Sequence, residues 1–358
     1  MKTSVEPLNP NICEDPDCRF RAFARVANYV RRVLPVIGLF LVAPLVAEFL
    51  LGNMSITRLG ILAVLAPLYG GGALLIRESV RRTGRGWASI LVLALAYGIL
   101  EEAFLMETLF NPDFLGLNLH LLAPVFLPWF GIGLWYTIFV LTLHTVWSIS
   151  VPIALVEALV PDRATSPWLG GLGTGLVALL FTAAAISIAT FSIRQDRNHF
   201  MASRGQFIWS AVLVLVLVAL AFRLPQPARV PNPGHVPGPW LIGFAALIAA
   251  SAFLLVPGKW GWWAVAVYMA LDVLTITAIF IWSTRSGWDG RHRLGLAGGA
   301  AMAYAWHAFV QTPSLGTAGA ITRMGNLVFA VLAANLIAVG ARRTADFTRQ
   351  RSGQTGRR

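Results

Sequence analysis

A succession of ten apolar runs, each about 20 residues long, constrains this chain more than any other feature. At 1.5 Å per residue, a helix of that length crosses the ~30 Å hydrocarbon core of a bilayer. Hydrocarbon offers no partner for a backbone N–H or C=O, so each run has to satisfy its own backbone as a helix. The expected fold is therefore an all-α, polytopic membrane bundle of about ten spans. The runs begin near Val33, Leu59, Trp87, Gly131, Trp168, Phe207, Trp240, Trp260, Leu294 and Ile321. Tryptophans at several of these starts fit the aromatic belt at a membrane interface. Composition agrees, with 57% hydrophobic and only 12% charged residues. Soluble domains carry about twice that charged fraction, so an ordinary cytosolic enzyme and a disordered chain are both excluded.

The net charge of +12 does not imply nucleic acid as a partner, because the arginines lie at the termini and between the apolar runs. A cytoplasmic excess of positive charge accounts for that distribution. The amino-terminal arm, the stretch Arg77–Arg85 (read as a loop) and the tail with Arg342, Arg343, Arg349 and Arg351 are all basic. With an even number of spans, both termini face the cytoplasm of a multi-pass cell-membrane protein. The stretch 111–130 has no Lys or Arg and belongs outside. Arg194, Arg197 and Arg204 depart from this rule, on a loop that the same count places outside. The first residues hold no early apolar region, so the run at Val33 is read as an uncleaved span. Abundant arginine with lysine only at Lys2 and Lys259 suits a GC-rich, bacterial type of coding sequence.

The chain divides into an arm (1–32), a first membrane half of about six spans (33–223), a proline-rich loop (224–239), a second half of about four spans (240–341) and a tail (342–358). In the arm, Phe20, Phe23, Ala27 and Val30 fall at helical spacing among arginines. Such a helix lies on anionic lipid headgroups or extends the first span. The segment 111–130 is apolar but interrupted by Pro112, Pro124 and Pro128, which suits an interfacial or re-entrant segment. The lipid bilayer is the expected partner. Cys13 and Cys18 read as free thiols; no cofactor and no metal is implied, and no phosphate-binding or zinc-protease motif appears.

Ionisable groups inside a span are expensive, about 2.5–3.5 kcal/mol each at a helix centre, and so are informative. Glu101 and Glu102 are adjacent in the third run, and His144 lies inside the fourth with Ser148 one turn later. Neighbouring helix positions differ by about 100°, so the two carboxylates cannot share one narrow face: one can face a cavity while the other pairs with a neighbouring helix. Counted along antiparallel helices, both reach the level of His144, which makes a carboxylate–imidazole contact plausible. Two close carboxylates rarely both ionise in low dielectric, which suits a general base or a proton carrier. His307 (with Gln311 on its face) and Asp272 are further candidates in the second half, and Glu48 ends the first run. Glu107 is expected at the surface, as are His120, His199, His235 and His292.

The stretch GILEEAFLMETLF, followed by VLTLHTVWS, resembles the CAAX-prenyl-protease and bacteriocin-processing family of intramembrane proteases. That family carries E-E-x-x-x-R, F-x-x-x-H and H-x-x-x-N on successive helices. The resemblance covers the third and fourth spans. Met106 stands in place of the arginine and Val140 in place of the phenylalanine; for the third motif the chain offers His307 with Gln311. The resemblance implies glutamate-activated hydrolysis, with Glu101 or Glu102 as base and His144 stabilising the oxyanion. The other functions open to the same residues are a proton- or cation-coupled transporter and a non-catalytic scaffold.

Overall fold

A computed structural model describes residues 32–117, 119–196, 200–226 and 232–355. The arm before Arg32, with Cys13, Cys18 and the proposed amphipathic helix, lies outside the described residues, as do Arg197 and His199. The helices are α1 (Arg32–Leu50), α2 (Ile56–Arg82), α3 (Trp87–Leu105), α4 (Leu134–Leu159), α5 (Gly171–Gln195) and α6 (Arg204–Arg223). They continue with α7 (Pro239–Leu254), α8 (Trp262–Ser283), α9 (Gly290–His307) and α10 (Ala320–Thr355). Each begins within four residues of an apolar run read from the sequence. Eight are long and apolar enough to cross a membrane; α7, with 16 residues, and α9, with 18, fill the remaining two positions.

Burial separates centre from periphery. Of the most apolar stretch of α3, 67% is buried, and of α4 61%, against 11% for α6 and 17% for α5 and α8. The outer helices instead expose Leu172, Leu215 and Phe280, the pattern of a surface turned to lipid. Close approach of the central helices depends on missing side chains. A Cβ at Gly70 would collide with the backbone of Phe40, so α2 crosses α1 at backbone contact there. A Cβ at Gly98 would stand 3.0 Å from the His144 Cβ, so α3 and α4 meet where His144 emerges.

The two halves share one core. Phe49, Tyr69, Leu93 and Trp147 pack in the same buried cluster as Phe253, Tyr268, Tyr304 and Phe329. Trp147 on α4 stacks on Tyr304 of α9 at 4.5 Å and donates to the carbonyl of Ala300. The proline-rich stretch is thus a connection within a single bundle. The segment 111–130 forms no α-helix among its described residues: it makes a 3₁₀ turn at Phe114–Gly116 and leads into a two-strand hairpin. There β1 (Phe126–Leu127) pairs antiparallel with β2 (Ile132–Gly133). Arg77–Arg82, read as loop, is the last turn and a half of α2, and Arg77 and Arg81 are buried. His292, expected at the surface, is buried because it closes the first turn of α9 against Asp289 at 2.8 Å.

Four helices each contain one π-helical turn, and α2 in addition opens with a 3₁₀ segment at Ile56–Ile61. π-helical turns occur at Leu45–Leu50 in α1, Ala66–Gly70 in α2, Glu101–Leu105 in α3 and His144–Ser150 in α4.

Candidate functional site

Those π turns carry Glu48, Tyr69, Glu101 with Glu102, and His144, and their side chains converge. A π turn closes i→i+5 bonds, as Met106 N–H does to Glu101 O at 2.9 Å and Gly71 N–H does to Ala66 O. It inserts one residue into the winding and re-aims the side chains beyond it, at a loss in regular hydrogen bonding; such turns gather at functional sites.

His144 stands between the two glutamates. Its Nε2 lies 2.7 Å from Glu102 Oε1, and its Nδ1 lies 3.3 Å from Glu101 Oε2 and 3.1 Å from Ser148 Oγ. The approach to Glu101 is an ion-pair distance without hydrogen-bond alignment, so Glu101 Oε2 is buried with no hydrogen-bond partner. Glu102 Oε2 accepts from the Thr108 hydroxyl and, at 3.4 Å, from Tyr136. The Tyr69 hydroxyl lies 2.7 Å from Glu101 Oε1 and 2.7 Å from Glu48 Oε1. Glu48 Oε2 accepts from Asn53 Nδ2 at 2.6 Å. Above the imidazole, the Tyr69 ring stacks at 6.1 Å with 12° between planes, and Tyr97 meets it edge-on at 6.2 Å. Glu101 is 4% exposed, and Glu102 and His144 6% each.

The expected carboxylate–imidazole contact is therefore present, and Ser148 joins it. Glu101 and Glu102 leave α3 in different directions, as the 100° between them requires: Glu101 meets Tyr69, and Glu102 meets Thr108 and Tyr136. Both reach one histidine, because a 100° separation in a widened turn suits partners on opposite ring nitrogens. Glu107 is buried, not at the surface. Its backbone turns left-handed at φ 55°, and its carboxylate accepts the Ala202 N–H at 2.6 Å. Burial holds this carboxyl above the ordinary glutamate range, and the Ala202 bond offsets part of that rise. Asp272 on α8 accepts from Thr142 at 3.2 Å, on a different face of α4 from His144, and makes no contact with the cluster. His307 ends α9 with Nδ1 unpaired, beside Trp306 and apart from the cluster. Reasoning from sequence missed Tyr69, Tyr97, Thr108 and Tyr136. Tyr69 carried a signal, a phenol inside the apolar run immediately before that of the glutamates.

Glu101, Glu102 and His144 each offer one ligand atom, all within 4.8 Å of one another, which is the spacing of a cation site. His144 Nε2 is hydrogen-bonded to Glu102 and Nδ1 to Ser148, however, and a cation could bind only where His144 gave up one of these bonds. The arrangement as it stands is two hydrogen-bonded acid–base segments, Glu48–Tyr69–Glu101 and Ser148–His144–Glu102, which face each other across 3.3 Å.

Residues 38–346 match the model of an uncharacterized membrane protein family. The chain belongs to that family. Its match covers α2 through α9 entirely, and with them every residue of the buried cluster. The matching model is not that of the intramembrane proteases whose motifs the third and fourth runs resemble. No curated protein and no solved structure matches the chain.

Proposed function

We propose that this integral membrane protein works by acid–base chemistry at the Glu101–Glu102–His144 site, and that the chemistry is glutamate-dependent hydrolysis. One observation carries the reading: the two adjacent carboxylates are loaded unequally. Glu102 accepts from Thr108 and Tyr136 and is paired with His144, whereas Glu101 keeps Oε2 free of hydrogen bonds. Glu101 is then the base, with lone pairs open to the proton of an attacking water. His144, held by Glu102 at Nε2, is the electrophilic partner, which exchanges the Ser148 hydroxyl at Nδ1 for a developing oxyanion. A crevice of about 180 Å³ opens on the far side of Tyr97, lined by Gly72, Leu75, Leu93, Tyr97, Phe181 and Val214. Its apolar walls suit a membrane-embedded substrate that reaches Glu101 past the Tyr97 ring. Burial of both glutamates weighs against the scaffold reading.

The test is hydrolysis of membrane-embedded ester and peptide reporters in proteoliposomes. Glu101→Gln should abolish turnover, and Glu102→Gln should lower it about 100-fold, the low end for a positioned acid–base group. Turnover that survives Glu101→Gln refutes the assignment. Proton flux without hydrolysis, lost in Glu101→Gln, would favour the proton- or cation-coupled transporter. From the arginine distribution we infer that both termini face the cytoplasm and that the arm meets anionic headgroups; protease protection of tagged termini tests that orientation.

A further inference from the structure

The Tyr69 hydroxyl has one proton, yet it lies 2.7 Å from a carboxylate oxygen on each side. Such distances are those of O–H···O bonds, and two oxygens without a proton between them repel at this range. With Tyr69 neutral, one bond uses its own proton, and the other needs a proton from Glu48 or Glu101. The Glu48–Tyr69–Glu101 segment therefore holds two protons on three groups. It is continued at both ends. Glu48 Oε2 takes a hydrogen bond from Asn53, and Asn53 Oδ1 accepts from Ser314, which is exposed, at 2.7 Å. At the other end Glu101 Oε2 faces His144, and His144 Nε2 meets Glu102. Among the described residues, Tyr97, Tyr136 and Tyr304 are the other ionisable groups within electrostatic reach of these carboxyls.

We propose that Glu48 and Tyr69 form a proton path to Glu101 and His144, which the half-buried Glu48 enters by exchange with water at the loop end, where the Asn53 amide holds its carboxyl without carrying a proton. The inference rests on the acid–base reading of that site and adds the route by which its protons are exchanged. The step is a paired shift. The Glu48 O–H bond breaks as its proton moves to the Tyr69 oxygen, and the Tyr69 O–H bond breaks as that proton moves to Glu101 Oε1. One O–H bond forms on Tyr69 and one on Glu101. Glu48 ends as a carboxylate and Glu101 as an acid, while Tyr69 is neutral before and after. No co-reactant is required. Glu48 and Tyr69 are positioning residues, acting on any substrate only through Glu101.

The experiment needs no substrate, so it fails or succeeds independently of hydrolysis. The full chain in lipid nanodiscs is followed by attenuated-total-reflection infrared spectroscopy as H₂O is replaced by D₂O. The wild type should show a protonated-carboxyl C=O band that Glu48→Gln or Glu101→Gln alters. Tyr69→Phe keeps the ring stacked on His144 and should slow deuteration of that band by about 100-fold. Thr142→Ala, on the opposite face of α4, should leave the rate unchanged. Any of three results overturns the proposal: no such band in the wild type, wild-type exchange in Tyr69→Phe, or exchange that slows only in Tyr136→Phe. The last would place the route through Thr108 and Tyr136 instead.

Discussion

Two buried ionic clusters occupy the central helices, and they are built to opposite specifications. Near the end of α2, Arg77 and Arg81 meet Glu78 and Glu157. Arg77 pairs with Glu78 at 2.7 Å and Glu157 at 3.1 Å, and Arg81 with Glu157 at 2.8 Å. Arg77 also donates to the carbonyls of Arg163, Ala164 and Ser166 and lies 3.3 Å over the Trp168 ring. Glu78 accepts the Trp168 and Leu169 N–H groups. Two buried cations face two buried anions, the part-exposed Arg82 adds a longer contact to Glu78 at 3.9 Å, and none of the four buried groups leaves a buried polar atom unpaired. The other cluster sets the carboxyls of Glu48, Glu101 and Glu102 against one histidine and leaves Glu101 Oε2 unbonded. A saturated, charge-balanced cluster pins the loop after α4 to α2. An acid-rich cluster with an open lone pair is poised for proton transfer. Burial alone would not have told them apart; charge balance and hydrogen-bond satisfaction do.

The largest expected effect breaks the balanced cluster. Glu157→Ala strands Arg77 and Arg81 without their shared partner and should lower stability by about 3–5 kcal/mol, read as a lower Tm in detergent. Next is Gly98→Val, which forces side-chain atoms against His144 where the backbones touch. Overpacking of this kind costs about 1–3 kcal/mol, and hydrolysis or proton exchange should fall with it. Glu101→Gln sharpens the contrast from the other side. It removes one of the crowded carboxylates, so Tm should hold or rise, by about 1 kcal/mol of stability at most, while activity disappears. A fall in Tm like that of Glu157→Ala would show both clusters to be structural.

The pH dependence is smaller. Glu107 titrates above the ordinary glutamate range because it is buried. Its contribution to stability is complete below about pH 4.3, the unperturbed glutamate value, and is lost as pH rises through the folded pKa. Glu107→Gln should therefore flatten the decline in Tm between acid and neutral pH; an unchanged profile would refute the assignment. Smallest of all is Asp272→Asn. It keeps an oxygen for Thr142 and lies apart from the cluster, so its effect should stay within about 0.5 kcal/mol and leave proton exchange untouched.

Much of the architecture was legible in the sequence, because hydrophobic length is a one-dimensional property. Ten apolar runs located ten helices, and the rarity of ionisable groups within them singled out Glu101, Glu102, His144 and Ser148. Counting along antiparallel helices even brought the glutamates to the level of the histidine. Charge sign was less informative: Arg77 and Arg81 looked like surface positives until their partner Glu157, far along the chain, became visible. Asp272 and His307 had the same credentials as His144, yet they lie on other faces. What only the tertiary structure decided was rotation about the helix axes. Four π turns at one level set which side chains meet, and they bring Glu48 and Tyr69 into the chain of hydrogen bonds. A π turn is a compromise between local winding and interhelical contact. The contact partners lie tens of residues away, so no local pattern in the sequence encodes where it falls.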